Sequence, residues 1–320
     1  MRTRAVNGSP LIKPLYISRL LVGSSLAVYG IYTAIIDGNT FWYTYFTIGT
    51  FVLFDSLDQQ LNGDSNLLRL FKGQPEVFFG TYFLFFIMGI LIDTVLGQAI
   101  GNMWIYPSLE GGRKFFHILI VGYPFALLSV SSMYRTIDGL TIRVLNQQTN
   151  HTRAARDDVF KIRVAQLLTI SFIVALTVPI LNWLLLDNRY SHELLVICCA
   201  LGLFSISPIT YFVFRASWFN QLFGTRKRAV TVLLLTWLCA AFLHEFPNTF
   251  AWQWVYQNIP FTSWKILGVS IIVIAPGWIF LTILAVAGND FFFQWANSKL
   301  RHSIPSIASN SREGNSSGPP

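Results

Sequence analysis

The chain has 320 residues, of which 53% are hydrophobic and 12% charged, with a formal net charge of +8. A soluble domain carries about a quarter charged residues, so this composition argues against a soluble enzyme. The apolar residues fall into blocks long enough for transmembrane helices, which need roughly 20 residues each.

In chain order, eight spans are predicted: Ile17–Ile36, Phe41–Phe54, Val77–Leu96, Phe115–Tyr134, Val164–Leu186, Glu193–Phe214, Ala229–Glu245 and Ile266–Gly288. With both termini cytoplasmic, 19 of the 23 Lys and Arg lie on the inner side, as the positive-inside rule requires. The four outside are Arg113, Lys114, Arg189 and Lys265. The positive charge is therefore a topology signal with attraction to anionic membrane lipid, and no nucleic-acid partner is expected. The predicted location is a multi-pass integral membrane protein, of the endoplasmic reticulum membrane in a eukaryote. Beyond the last span, Asp290–Leu300 is predicted to lie along the inner surface, and the Ser-, Asn-, Gly- and Pro-rich end is predicted to be disordered.

Adding 150 to the starts of the first four spans gives, within a few residues, the starts of the last four. The same offset lays Trp104-Ile105-Tyr106 on Trp254-Val255-Tyr256, the two Trp-x-Tyr triplets of the chain. The fold class read from this is all-α. It comprises two tandem four-helix repeats, residues 1–150 and 151–300, followed by a tail over 301–320. An even number of crossings per repeat gives both copies one orientation, so a site between them has pseudo-twofold character.

Asp93, within Gly89-Ile90-Leu91-Ile92-Asp93-Thr94-Val95-Leu96, is read as the one carboxylate clearly inside an apolar helix. Such a residue is expensive in a membrane and marks a functional site by default. In the second half the corresponding helix ends at His244-Glu245. Each half thus places a carboxylate shortly before its triplet: Asp93 eleven residues ahead of Trp104, Glu245 nine ahead of Trp254. Asn102 and His117 in the first half and Asn248 in the second add hydrogen-bonding groups at similar depth. Cys198, Cys199 and Cys239, without Cys-x-x-Cys spacing, are read as small buried packing residues. Asp157-Asp158 lacks the further acid of a cation site and is read as a solvated helix start. No nucleotide loop, dinucleotide fingerprint, serine elbow or zinc motif occurs, so neither metal nor cofactor is expected.

Carboxylic acids kept protonated by burial, in a dry pocket with many aromatic rings, suit a reaction begun by protonation and carried through a carbocation. Asp93, Glu245 and His244 are the candidate catalytic residues. Trp104, Tyr106, Trp254, Tyr256, Asn102, His117 and Asn248 are the candidates for binding substrate, with ring faces stabilising positive charge.

The stretch Asp93–Pro107, DTVLGQAIGNMWIYP, followed by Gly111-Gly112 and a long apolar helix, resembles the Asp…Gly…Trp-x-aromatic stretch of membrane lycopene-cyclase domains, which are also built from duplicated helix sets. The resemblance covers about 30 residues. It departs where those domains carry Pro-Ile-Glu-Glu and this chain has Val121-Gly122-Tyr123-Pro124-Phe125. Size, span count and Ser-rich tail are similar to the fungal membrane-bound terpene cyclases of indole diterpene and meroterpenoid pathways. The resemblance implies a proton-initiated cyclase acting on an epoxide or alkene of a lipid-soluble isoprenoid, within reach of pathway enzymes, with the acid role on Asp93 and Glu245. The competing expectation is a polytopic transporter or lipid-binding membrane scaffold.

Overall fold

The computed structural model describes residues 12–100, 102–145, 226–259, 262–271 and 273–303, with isolated helical positions at 166, 170, 177 and 181. Helix α1 (Ile12–Ile35) packs along α2 (Trp42–Asn62) through glycines. A Cβ on Gly49 would stand 2.3 Å from the Ala27 backbone nitrogen, and one on Gly23 would stand 2.6 Å from that of Leu53. The two backbones therefore touch, as small residues allow where lipid offers no hydrophobic drive to associate.

A short helix α3 (Asn66–Phe71), capped by the Ser65 hydroxyl accepting from the Leu68 N–H, leads to α4 (Pro75–Gly89), which has Pro75 in its first turn. Helix α4 continues into a π-helical stretch, Ile90–Ile100, that carries Asp93. After strand β1 (Trp104–Ile105), helix α5 (Gly111–Lys114), a π-helical stretch Phe115–Gly122 and α6 (Tyr123–Leu145) follow one another without a break. In the second half, α7 (Arg226–Ala251) ends just before strand β2 (Val255–Tyr256), and β3 (Lys265–Ile266) pairs with β4 (Val269–Ser270). A π-helical stretch, Val273–Gly277, then enters α8 (Trp278–Ser303).

Among the described residues, four stretches are long and apolar enough to cross a membrane: Pro75–Ala99, Gly111–Val144, Lys227–Ala251 and Trp278–Lys299. They correspond to the third, fourth, seventh and eighth predicted spans. The first two predicted spans are helical as well, in α1 and α2. Spans Val164–Leu186 and Glu193–Phe214 lie outside the described residues, apart from the isolated helical positions. Cys198, Cys199, Asp157, Asp158, the repeat boundary near 150 and the chain from residue 304 also lie outside them.

Three expectations are corrected. The eighth span begins at Trp278 rather than Ile266, because residues 265–270 form the β3–β4 hairpin. Asp290–Leu300 is no separate surface helix. It is part of α8, with Phe293 buried between the guanidinium groups of Arg69 and Arg135, each 4.2 Å from its ring centroid. Cys239 is exposed, on the α7 surface that also presents Leu234, Leu235 and Leu238.

The two ends of the bundle differ in chemistry. At the end away from β1, ion pairs join Arg19 to Asp55 (2.5 Å), Arg135 to Asp58 (2.6 Å), Arg69 to Asp64 (2.6 Å) and Arg228 to Asp138 (2.6 Å). Asp55 and Asp58 are fully buried, as Asp93 is, so Asp93 is not alone inside the bundle. Between the two ends lies an apolar core that includes Phe51, Phe85, Leu127, Leu128, Met133 and Leu284.

Candidate functional site

The site is built where the two triplets meet. Strands β1 and β2 pair antiparallel, with Trp104 opposite Tyr256 and Ile105 opposite Val255. The Gln257 N–H donates to the Met103 carbonyl (2.7 Å), and the Asn258 side-chain amide donates to the Asn102 carbonyl (3.0 Å). Each triplet is delivered by the same chain reversal. Asn102 and Trp252, 150 residues apart, both adopt positive φ, 44° and 50°. Their N–H groups donate to the carbonyls four residues earlier, at Gln98 (3.2 Å) and Asn248 (2.9 Å). This is a left-handed helix terminus, tolerated by Asn and costly for Trp.

Each triplet then turns its polar edges back on a carboxylate of its own half. Trp104 Nε1 and the Tyr106 hydroxyl donate to Asp93 Oδ1 at 2.8 and 2.5 Å. Trp254 Nε1 donates to Glu245 Oε2 at 3.3 Å, and the Tyr256 hydroxyl donates to Oε1 at 2.7 Å. A third donor, Trp278 Nε1, reaches Oε1 at 2.8 Å. Burial pushes the Tyr106 and Tyr256 phenols well above their ordinary range. They therefore stay protonated and keep donating. The Trp104 indole reaches Asp93 only because residue 97 is Gly: a Cβ there would stand 2.1 Å from indole Cζ2.

The spacing of eleven residues in one half and nine in the other is absorbed by winding. The 90–100 stretch is π-helical, with i→i+5 bonds that place more residues in each turn, whereas α7 stays α-helical to Ala251. Asp93 and Glu245 thereby meet equivalent donors from non-equivalent positions.

The two carboxylates differ in what remains open. Both Glu245 oxygens are occupied by N–H or O–H donors. Asp93 Oδ2 is buried with no hydrogen-bond partner among the described residues. The nearest charge is Lys114 Nζ at 3.4 Å, which also donates to Gln98 Oε1 and lies 5.2 Å from the Tyr106 ring centroid. Tyr123 stands within electrostatic reach of Asp93, Tyr43 and Glu245, linking the two sides. His244 is fully buried; its Nδ1 is 3.0 Å from the Tyr43 hydroxyl and its ring lies 4.7 Å from that of Trp278.

Asp93, Glu245, His244, Trp104, Tyr106, Trp254 and Tyr256 are thus brought together. The other three candidates have different places. Asn248 shapes the chain reversal: its Oδ1 accepts from the N–H groups of Gln253 and Trp254, and its amide donates to the Trp254 carbonyl. Asn102 is exposed and terminates its helix. His117 pairs with Thr44 (2.9 Å) and packs on Phe41, apart from both carboxylates.

Sequence reasoning missed Lys114, Tyr123, Tyr43 and Trp278. Two of them had a signal. Lys114 is one of the four basic residues that break the positive-inside pattern, and Tyr123 lies in the segment that departs from the lycopene-cyclase stretch. Among the described residues no group of His, Cys, Asp and Glu could hold a metal ion. Comparison with protein-family models, with curated proteins and with solved structures finds no match for this chain.

Proposed function

We propose that the chain is an integral membrane terpenoid or isoprenoid cyclase that protonates an alkene or epoxide of a lipid-soluble prenylated substrate. The observation that carries this reading is the asymmetry of the two buried carboxylates. Asp93 holds two donors on Oδ1, while its Oδ2 has no hydrogen-bond partner among the described residues and meets the Lys114 ammonium at 3.4 Å, so Oδ2 is the oxygen from which a proton can be delivered. Glu245, filled by three donors, serves as a fixed counter-charge.

In the first step the Asp93 O–H bond breaks. Its proton goes to an alkene carbon or an epoxide oxygen, leaving a cationic carbon and the Asp93 carboxylate. A distant double bond of the same chain closes the ring by donating its electron pair to that carbon. The rings of Trp104, Trp254, Trp278, Tyr106 and Tyr256 surround the path of the charge with quadrupoles that stabilise it without capturing it. Loss of a proton from carbon ends the sequence, so the product is an isomer of the substrate.

The architecture that accompanies this function has eight spans in two tandem four-helix repeats, with both termini cytoplasmic and, in a eukaryote, residence in the endoplasmic reticulum. The recurrence of the left-handed terminus at Asn102 and Trp252, and the pairing of the two triplets, support the duplication. The partners are an isoprenoid entering from the bilayer, membrane lipid and neighbouring pathway enzymes. The test is Asp93→Asn, which keeps the shape and a hydrogen bond to Trp104 or Tyr106 but carries no acidic proton. We expect turnover of linear prenylated substrates to fall at least about 100-fold while the protein still accumulates in membranes. Full activity in that variant would remove Asp93 from the reaction.

A further inference from the structure

Resting on the cyclase reading, we infer that His244 is the base that takes the terminating proton, through Nε2. A proton-initiated cyclisation needs an acceptor at its end as much as a donor at its start, and the groups around the site differ sharply in their fitness for that task. Both Glu245 oxygens already accept from indole or phenol donors. Asp93 is the acid. The Trp side chains only donate. His244 is fully buried, and its Nε2 is without a hydrogen-bond partner among the described residues. A buried unpartnered imidazole nitrogen calls for an explanation, and a proton-accepting role supplies one.

The surroundings of the ring fit the role. The Tyr43 hydroxyl, 3.0 Å from Nδ1, holds the imidazole by that nitrogen. With the hydrogen on Nδ1 facing the Tyr43 oxygen, the Nε2 lone pair is open. Tyr43 is itself fixed edge-on against Trp254 at 4.9 Å. The Trp278 ring lies 4.7 Å from the imidazole and tilted 34° to it, so the imidazolium formed by proton uptake meets an aromatic face. That same indole donates to Glu245, the residue next in sequence, which places the counter-charge beside the base.

The balance is complete within the site. A C–H bond next to the cationic carbon breaks, its electron pair becomes the new C=C bond, and the proton goes to His244 Nε2. The imidazolium gives that proton to water as product leaves, and the Asp93 carboxylate takes one back. One proton enters and one leaves for each substrate converted.

The experiment compares wild type, His244→Gln, His244→Phe and Tyr43→Phe in lipid nanodiscs with a panel of linear prenylated epoxides and polyenes, resolving products by chromatography and mass spectrometry. We expect both His244 variants still to consume substrate. The share of the wild-type olefin should fall by about 100-fold, the lower end of what a positioned proton transfer contributes. In its place should appear olefins with a shifted double bond or alcohols from water capture. Tyr43→Phe should keep the wild-type olefin as one product of a mixture, because the base remains but is no longer held. A merely structural His244 would slow all products together, and an unchanged product distribution in these variants overturns the inference alone. No conversion by the wild-type protein overturns the cyclase reading and this inference with it.

Discussion

Trp104 sits directly opposite Tyr256 across the β1–β2 pair, and each binds a different carboxylate: Trp104 donates to Asp93, Tyr256 to Glu245. Two residues of extended backbone per strand are too few to be stable alone. Here the side-chain bonds to buried acids on two separate helices hold the strands, and the strands hold the acids in a common frame. The short pair is therefore the joint through which the two halves fix each other's geometry.

That joint depends on the missing side chain at Gly97. In Gly97→Ala the new methyl would collide with the Trp104 indole at 2.1 Å, and the ring must leave Asp93. We expect a loss of about 1–3 kcal/mol in stability, as for other overpacked interiors, and a larger proportional loss of activity. Unfolding in mild detergent together with Trp fluorescence checks this; an unchanged indole environment contradicts it.

The phenols predict an alkaline limit. Burial raises Tyr106 and Tyr256 above their ordinary value of 10.0, so the neutral form is favoured in the folded protein. Below pH 10 the phenols are protonated whether the chain is folded or not, and their contribution to stability is complete. As pH rises above 10 the unfolded chain ionises first, and stability falls until the folded-state values are passed. Spectroscopic titration should show tyrosines that ionise only with unfolding, and two fewer of them in Tyr106→Phe/Tyr256→Phe identifies this pair.

At the far end, Arg135 holds the fully buried Asp58 at 2.6 Å. Arg135→Met strands that carboxylate, at a cost of about 3–5 kcal/mol. Adding Asp58→Asn should recover much of the loss, because the uncompensated charge is gone. Equal stability of the single and double variants would place the pair outside the folding energetics.

Asp93, Trp104 and Tyr106 are legible in the sequence because a lone acid in an apolar helix and a repeated triplet stand out against their background. Tyr43, Tyr123 and Trp278 are not legible. In a chain with 28 Phe, 12 Tyr and 10 Trp, an aromatic residue becomes part of a site only when distant helices bring it there. Asp55 and Asp58 were hidden for a related reason. The apolar run of the second span stops at Phe54, before the first charge, whereas α2 runs on to Asn62 because Arg19 and Arg135 on other helices neutralise those carboxylates. The β3–β4 hairpin escaped because Ile266, Leu267, Val269, Ile271 and Ile272 read as the start of an apolar helix. The positive φ of Leu267 turns the chain back instead.

The most direct test of the central claim is to incubate membranes containing the protein with linear prenylated substrates and their epoxides in deuterated water and to analyse the products by mass spectrometry. The account predicts a new isomer, carrying one carbon-bound deuterium where an alkene is protonated and only an exchangeable hydroxyl deuterium where an epoxide is, formed by the wild type and absent with Asp93→Asn. Unchanged substrates across the panel, with the protein folded in the membrane, would contradict it and point to a carrier or lipid-binding scaffold.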